Sequence, residues 1–320
     1  MNNFLCAEES CNVKEDPIGC ALNRQYYVLL EFPPPWTSDP LDSKALSDQL
    51  KALKAAINEE VELFLRLVFI YNSKYYHQGY NRLIIYYRQE ENLSVYLKKE
   101  FVLSDINDAL PIIEKCIKGE ALESENTNIQ TRDFLICTHG SHDKCCAKYG
   151  NPFFRQAVFT VEDLSLSDVR VWQSSHFGGH RFAPTMIDFP EARYYGRLDQ
   201  KSFAAILTRT GDIECLKNIY RGWGILPWQV QLLERELILN YGWEWFNYQV
   251  EGRVIKHNED ETFNQVEISF KTPDGKIHIY RCNVIEDETK SIYTKGECCN
   301  TELTETPQFR ITNFFKVKSY

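Results

Sequence analysis

The sequence predicts a mixed α/β (α+β) chain built as two tandem halves followed by a C-terminal α+β extension. Short apolar runs rich in aromatic and β-branched residues recur at strand length, and amphipathic runs at helical spacing separate some of them. Their order then repeats about 105 residues further on, although the two stretches share negligible identity.

In the first half, QYYVLLEF from Gln25 reads as a strand, SKALSDQLKALKAAINEE from Ser43 as an amphipathic helix, and VELFLRLVFI from Val61 as a buried strand. NRLIIYYR from Asn81 and LSVYLKKEFV from Leu93 add two strands, and Ser104 with Asp105 behind it opens a helix. The second half repeats this order. It has strands in DFLIC from Asp133, DVRVWQSS from Asp168, RFAPTMIDF from Arg181 and ARYYGRL from Ala192. Its helices are expected within DKCCAKYGNPFFRQAVFTV from Asp143, QKSFAAILTRT from Gln200 and IECLKNIYRG from Ile213. Pro227 then starts a helix through PWQVQLLERELILNYGWEW, and NQVEISFK and KIHIYRCNVI form a hairpin across the Asp274-Gly275 turn. The expected boundaries are 1-125, 126-224 and 225-320, the last piece packing on the second half.

Composition limits what such a chain can do. With 320 residues, 43% hydrophobic and 25% charged, it fills two or three cores and is neither disordered nor fibrous. A net charge of -9 argues against nucleic acid as a partner, because that affinity comes from clustered Lys and Arg. The start MNNFLCAEES lacks a cationic stretch leading into an apolar one, and the apolar run from Val61 is short and carries Glu62 and Arg66. A soluble, cytoplasmic protein without a membrane partner is the expectation. No G-x-G-x-x-G after a strand, Walker sequence or G-x-S-x-G is present, and no pair of carboxylates stands out as a glycosidase site.

The cysteines carry the chemistry. Eleven of them, an odd number scattered along the chain, make a poor disulfide framework, so reduced thiols are expected. Cys116 and Cys215 sit among apolar neighbours at helical spacing and read as core filler. In CTHGSHDKCC, Cys137 ends an apolar strand, and Cys145 or Cys146 approaches across a polar loop. HFGGH supplies His176 and His180 some thirty residues later, with Gly178 and Gly179 allowing a tight turn and exposing backbone N-H groups. Two thiolates and two imidazoles form a donor set for a soft metal or an iron-sulfur cluster.

The neighbours have lesser expected roles. His139 supports a ligand rather than binding metal, Asp143 caps the following helix, and Arg181 screens the site's charge or pairs on the surface. His77, His142, His257 and His278 read as solvated, while Trp172, Phe177, Tyr194 and Tyr195 read as an aromatic rim or as core. Two rival readings use the same residues. A structural Cys2His2 zinc site is one, opposed by the eight residues between Cys137 and Cys146 where such sites place two to four. A thiol-disulfide oxidoreductase is the other, opposed by the absence of C-x-x-C; the vicinal Cys298 and Cys299 fit it or a structural role.

The stretch from Phe134 to Asp199, with CTHGSHDKCC, HFGGHRFAPTMIDFP and YYGRLD, closely resembles the sucrase/ferredoxin-like family. The opening CAEESC through FPPPW, NRLIIYYR, RGWGILPWQVQLLE and the late Cys298/Cys299 also fit. The resemblance implies thioredoxin-like halves and a 2Fe-2S cluster held by Cys137, Cys146, His176 and His180. In that family the second cysteine stands nine positions after the first, which selects Cys146 and leaves Cys145 a neighbour. His139, Gly178, Gly179, Arg181 and Cys145 then support the site, and the ligand-free first half acts as scaffold or docking surface. The function implied is an electron carrier, rather than a stand-alone enzyme, that passes single electrons to a redox protein partner. Imidazole ligation raises the potential and couples it to protons.

Overall fold

The structure, a computed structural model, describes residues 4-88, 95-122 and 131-319. Leu93 and Ser94 of an expected strand, and the expected boundary at 125/126, lie outside the described residues. Along the chain run α1 (Cys6–Asn12), β1 (Tyr26–Glu31), α2 (Asp48–Ala56), α3 (Glu59–Phe64), β2 (Leu65–Tyr71), β3 (Asn81–Tyr87), β4 (Leu97–Leu103), α4 (Ala109–Ile117) and β5 (Arg132–Cys137). They continue as α5 (Asn151–Asp163), β6 (Val169–Ser174), β7 (Met186–Phe189), β8 (Arg193–Tyr195), α6 (Gln200–Thr208), β9 (Tyr220–Trp223) and α7 (Trp228–Tyr241). The C-terminal strands are β10 (Gln249–His257), β11 (Phe263–Lys271), β12 (Ile277–Glu286), β13 (Ile292–Thr294), β14 (Thr304–Thr306) and β15 (Phe309–Ser319). The fold is mixed α/β.

Two compact units divide the chain. One comprises Arg24–Gly178 and Met186–Pro190; the other comprises Met1–Asn23, Gly179–Thr185 and Glu191–Tyr320.

Within the first of these units the strands lie in the order β4-β3-β1-β2-β6-β5-β7. Both halves use one rule. β1 pairs parallel with β2 and antiparallel with β3, just as β5 pairs parallel with β6 and antiparallel with β7. β2 and β6 join the halves antiparallel at Ile70 and Ser174. The order repeated in the sequence is therefore repeated in strand pairing. Glu31 ends β1 where Cys137 ends β5, so the first half holds a carboxylate at the position of the thiol.

Local chemistry explains the elements. Ser47 accepts the Leu50 N-H and caps α2, which buries Leu50 and Leu53 against a core shared with Val28, Leu30, Phe69 and Ile113. The strand expected from Val61 begins only at Leu65. Asn58 caps the Val61 N-H, and Glu59, Glu60 and Glu62 favour a helix N-terminus, so this stretch turns as α3 first. Asp105, not Ser104, accepts the Asn107 N-H ahead of α4. Cys116 is fully buried in the core, and burial pushes its thiol up to about 12.

Asp133 lies fully buried on β5 and takes charge-assisted bonds from Lys98 Nζ at 2.6 Å and Arg170 Nε at 2.7 Å. The Trp172 indole donates to it at 2.7 Å, and the Tyr86 hydroxyl also donates. Arg170 in turn forks onto Glu100, with both oxygens at 2.9 Å. This network uses every oxygen of the buried acid and explains how one carboxylate sits inside the sheet.

In the other unit β8 and β9 pair antiparallel, and β10, β11, β12 and β15 form an antiparallel sheet. The Asp274-Gly275 hairpin is present, with Gly275 at φ 87. Gln231 on α7 donates to the carbonyls of Ala21, Trp223 and Leu226, so the C-terminal helix packs on β9. Buried Arg193 meets Glu234 at 2.6 Å. The expected helix from Ile213 is a 3₁₀ turn (Ile213–Asn218) that leads straight into β9, which leaves Cys215 half-buried rather than in the core.

Candidate metal centre

Three of the expected ligands meet in one unit. Cys137 projects from the end of β5, fixed by its pairing with Ser174 and by the buried run Phe134, Leu135 and Ile136. After it the chain turns: the N-H groups of His142 and Asp143 donate to the His139 carbonyl at 3.2 and 3.3 Å. Asp143 accepts the Cys145 N-H at 2.8 Å on its side chain and the Cys146 N-H at 3.1 Å on its carbonyl, so it caps the next turn as expected. That turn, Cys146–Gly150, is a π-helix leading into α5, a rare form found often at functional sites. Gly150 is required there, because a Cβ would lie 2.0 Å from the Cys137 carbonyl oxygen.

The Nδ1 atom of His176 lies 3.7 Å from the sulfur of Cys137 and 3.7 Å from the sulfur of Cys146. All three ligand atoms fall within 4.8 Å of one another. Both cysteines are buried and His176 is half-buried, so two soft donors and one imidazole converge on one point shielded from bulk water. The Cys137 thiol first, and burial second, hold the Cys146 thiol well above the ordinary cysteine range. Two thiols this close resist losing both protons; a bound cation reverses that balance.

The first half positions His176. Phe69 on β2 accepts the Ser175 N-H at 2.8 Å and donates its own N-H to the Ser175 hydroxyl at 2.9 Å. Arg66 Nη2 donates to the His176 carbonyl at 3.0 Å. His176 also borders a cavity of about 100 Å³ lined by Asp39, Glu62 and Arg66.

His139 is buried, and its Nδ1 accepts the His176 backbone N-H at 3.2 Å. His142 is exposed, in agreement with its surface reading, and its ring also stacks on that of His176 at 3.8 Å. His278 is half-buried and stacks on Phe270. Trp172, Phe177, Tyr194 and Tyr195 are fully buried, as the core reading of these four expects.

His180 belongs to the other unit. Gly178 and Gly179 turn at φ 100 and 82, and a Cβ on Gly179 would strike the Arg221 guanidinium at 2.3 Å. His180 follows on a short 3₁₀ turn, with Nδ1 3.7 Å from the sulfur of Cys6. Cys6 also lies 3.5 Å from the sulfur of Cys298. Arg181 pairs with buried Glu15 at 2.6 Å. Sequence reading missed Cys6 as a partner, since nothing in a spacing of 292 residues signals the contact.

A mixed α/β fold with a buried cluster of two thiols and an imidazole defines a candidate metal or redox centre. The chain belongs to the sucrase/ferredoxin-like family, whose pattern matches residues 17–222. It is 34% identical to altered inheritance of mitochondria protein 32 of Meyerozyma guilliermondii over 115 residues, which is 33% of this chain and 40% of that protein. It is also 34% identical over 96 residues to the protein of the same name from Debaryomyces hansenii, 28% of this chain and 34% of that one. The matched region thus spans less than half the length of these curated relatives. No solved structure matches the chain. Among the described residues, no helix is long and apolar enough to cross a membrane.

Proposed function

We propose that the protein is an electron carrier that holds one 2Fe-2S cluster through Cys137, Cys146, His176 and His180. The observation that supports this most is the placement of both sulfurs at 3.7 Å from one imidazole nitrogen. The donor set fits the group: thiolates and neutral imidazoles are the ligands such clusters take, and imidazole in place of thiolate raises the potential. His180 enters on the HFGGH spacing and the family pattern. Such a cluster, once bound, takes up and gives back one electron at a time.

The chain's own groups set the conditions. The two thiols are buried, and His176 borders the cavity lined by Asp39, Glu62 and Arg66. The acidic balance suits a basic redox protein as partner rather than nucleic acid. A cytoplasmic location is part of the proposal; the relatives' printed name concerns inheritance of mitochondria, and fractionation of tagged protein distinguishes the two compartments.

The test is purification without oxygen, a visible spectrum before and after dithionite, and assay of iron, acid-labile sulfide and zinc on one sample. Iron and sulfide in equal amounts with a spectrum that bleaches support the reading. A colourless protein carrying zinc and no sulfide replaces it with the structural-zinc reading.

A further inference from the structure

We propose that Cys6 and Cys298 form a reversible disulfide, made and broken by exchange with a glutathione-class disulfide. The two sulfurs lie 3.5 Å apart although 292 residues separate them in sequence, and the Cys6 N-H donates to the Cys298 sulfur at 3.4 Å. A disulfide bond is about 2.05 Å long, so rotation of the two side chains covers the remaining distance.

Other contacts hold the two segments in register. The Lys295 N-H donates to Glu9 on α1 at 3.2 Å, and the Lys295 ammonium sits 4.6 Å from the centre of the Phe4 ring. Exposure assigns the order of events. Cys298 is half-buried, whereas Cys6 is 1% exposed, so the first attack on an incoming disulfide falls to Cys298. The exposed Cys299 is the competitor in sequence, but its sulfur lies 3.2 Å from a Glu297 carboxylate oxygen, which opposes a thiolate there. Joining adjacent cysteines would also strain the peptide between them.

The exchange balances in two steps. The Cys298 thiolate attacks one sulfur of oxidised glutathione; a mixed disulfide forms, the glutathione S-S bond breaks, and one glutathione thiolate leaves. Cys6 then attacks the Cys298 sulfur, its proton ending on the glutathione thiolate released in the first step, which breaks the mixed disulfide and releases the second glutathione. Two protein thiols are oxidised by two electrons, and one glutathione disulfide is reduced to two thiols. The bond would tie α1 to the turn after β13 and close a loop of nearly the whole chain, restricting the unfolded state.

The test uses the full chain, reduced and then equilibrated without oxygen in glutathione buffers of rising oxidised fraction. Acid quenching, alkylation and digestion without reductant follow, with the peptides read by mass spectrometry. A cross-linked pair containing residues 6 and 298 is expected, lost on treatment with dithiothreitol and retained in C299S. C6S should instead accumulate glutathione on Cys298, and only the oxidised parent should show a raised thermal midpoint. A Cys298-Cys299 link overturns the proposal, as does persistent glutathione on Cys298 of the parent, or Cys6 alkylated at every ratio. Thiols that react only after a zinc chelator overturn it as well. The readout is independent of iron: a colourless, zinc-bearing sample without sulfide defeats the electron-carrier reading, and formation of the link in that same sample leaves this one standing.

Discussion

The backbone N-H of His176 donates to Nδ1 of His139 at 3.2 Å, and the opposite ring nitrogen, Nε2, donates to the Thr37 carbonyl at 2.7 Å. One acceptor and one donor on the same ring fix its tautomer as neutral, with the proton on Nε2. Burial acts in the same direction, lowering the imidazole's affinity for a second proton. Trp36 packs edge-on against the ring at 5.7 Å. The loop that follows β1 is thus tied through His139 to the loop that carries His176.

His139→Phe keeps the ring and removes both polar contacts. The His176 N-H and Thr37 carbonyl lose their partner, at a cost of about 2 kcal/mol, and a bound metal should be held about 10-fold to 100-fold more weakly. Urea unfolding and metal retention against a chelator check both. Unchanged retention would show that the His176 loop is held by Ser175 and Arg66 alone.

Gly150→Ala brings a Cβ to 2.0 Å from the Cys137 carbonyl, an atom of the sheet backbone that cannot move aside without shifting the ligand itself. The variant should lose about 1-3 kcal/mol and bind metal poorly. Gly275→Ala, whose Cβ would meet nothing within 4 Å but whose φ is 87, strains a turn of the other unit and should lower stability while metal binding is retained. Equal metal loss in the two variants would mean that the close approach at Gly150 is not what shapes the centre.

How far these features could be read beforehand depends on their range. Cys137, the cap by Asp143 and the turn at Gly178 and Gly179 were legible because their causes lie within a few residues: an apolar strand that stops, a carboxylate two residues ahead of its N-H, paired glycines. The start of β2 was not. Val61, Leu63 and Phe64 are apolar enough for a strand, and a helix cap at Asn58 outweighed them. His142 was missed for the opposite reason, since its surface position is correct and only the fold brings the His176 ring beneath it. The contact of Cys6 with His180 and Cys298 depends wholly on tertiary structure.

Cys145→Ala and Cys146→Ala separate two adjacent buried thiols. Only the sulfur of Cys146 lies at 3.7 Å from His176, so its removal should abolish metal binding, whereas Cys145→Ala should retain it with a core cost of about 1 kcal/mol for a small buried side chain. Metal content per chain after anaerobic reconstitution is the measurement. Loss in the Cys145 variant and retention in the other would reverse the assignment.

Asp133 gives the fold an acid limit. Burial alone would raise its affinity for a proton, but Arg170 and Lys98 overcome this and bring the carboxyl from 3.8 down to about 2. The folded value is below the unfolded one, so the unfolded chain takes up the proton first as pH falls. The contribution is therefore complete above about pH 4 and is lost between about pH 4 and pH 2, amounting to about 2 kcal/mol. Asp133→Asn should remove that part of the acid dependence. It should also cost about 3 kcal/mol at pH 7, because Lys98 and Arg170 would keep buried charge with only Glu100 to answer it. Urea unfolding of the parent and variant from pH 7 to pH 3 tests the sign; curves that fall in parallel below pH 4 would place the acid sensitivity on groups other than Asp133.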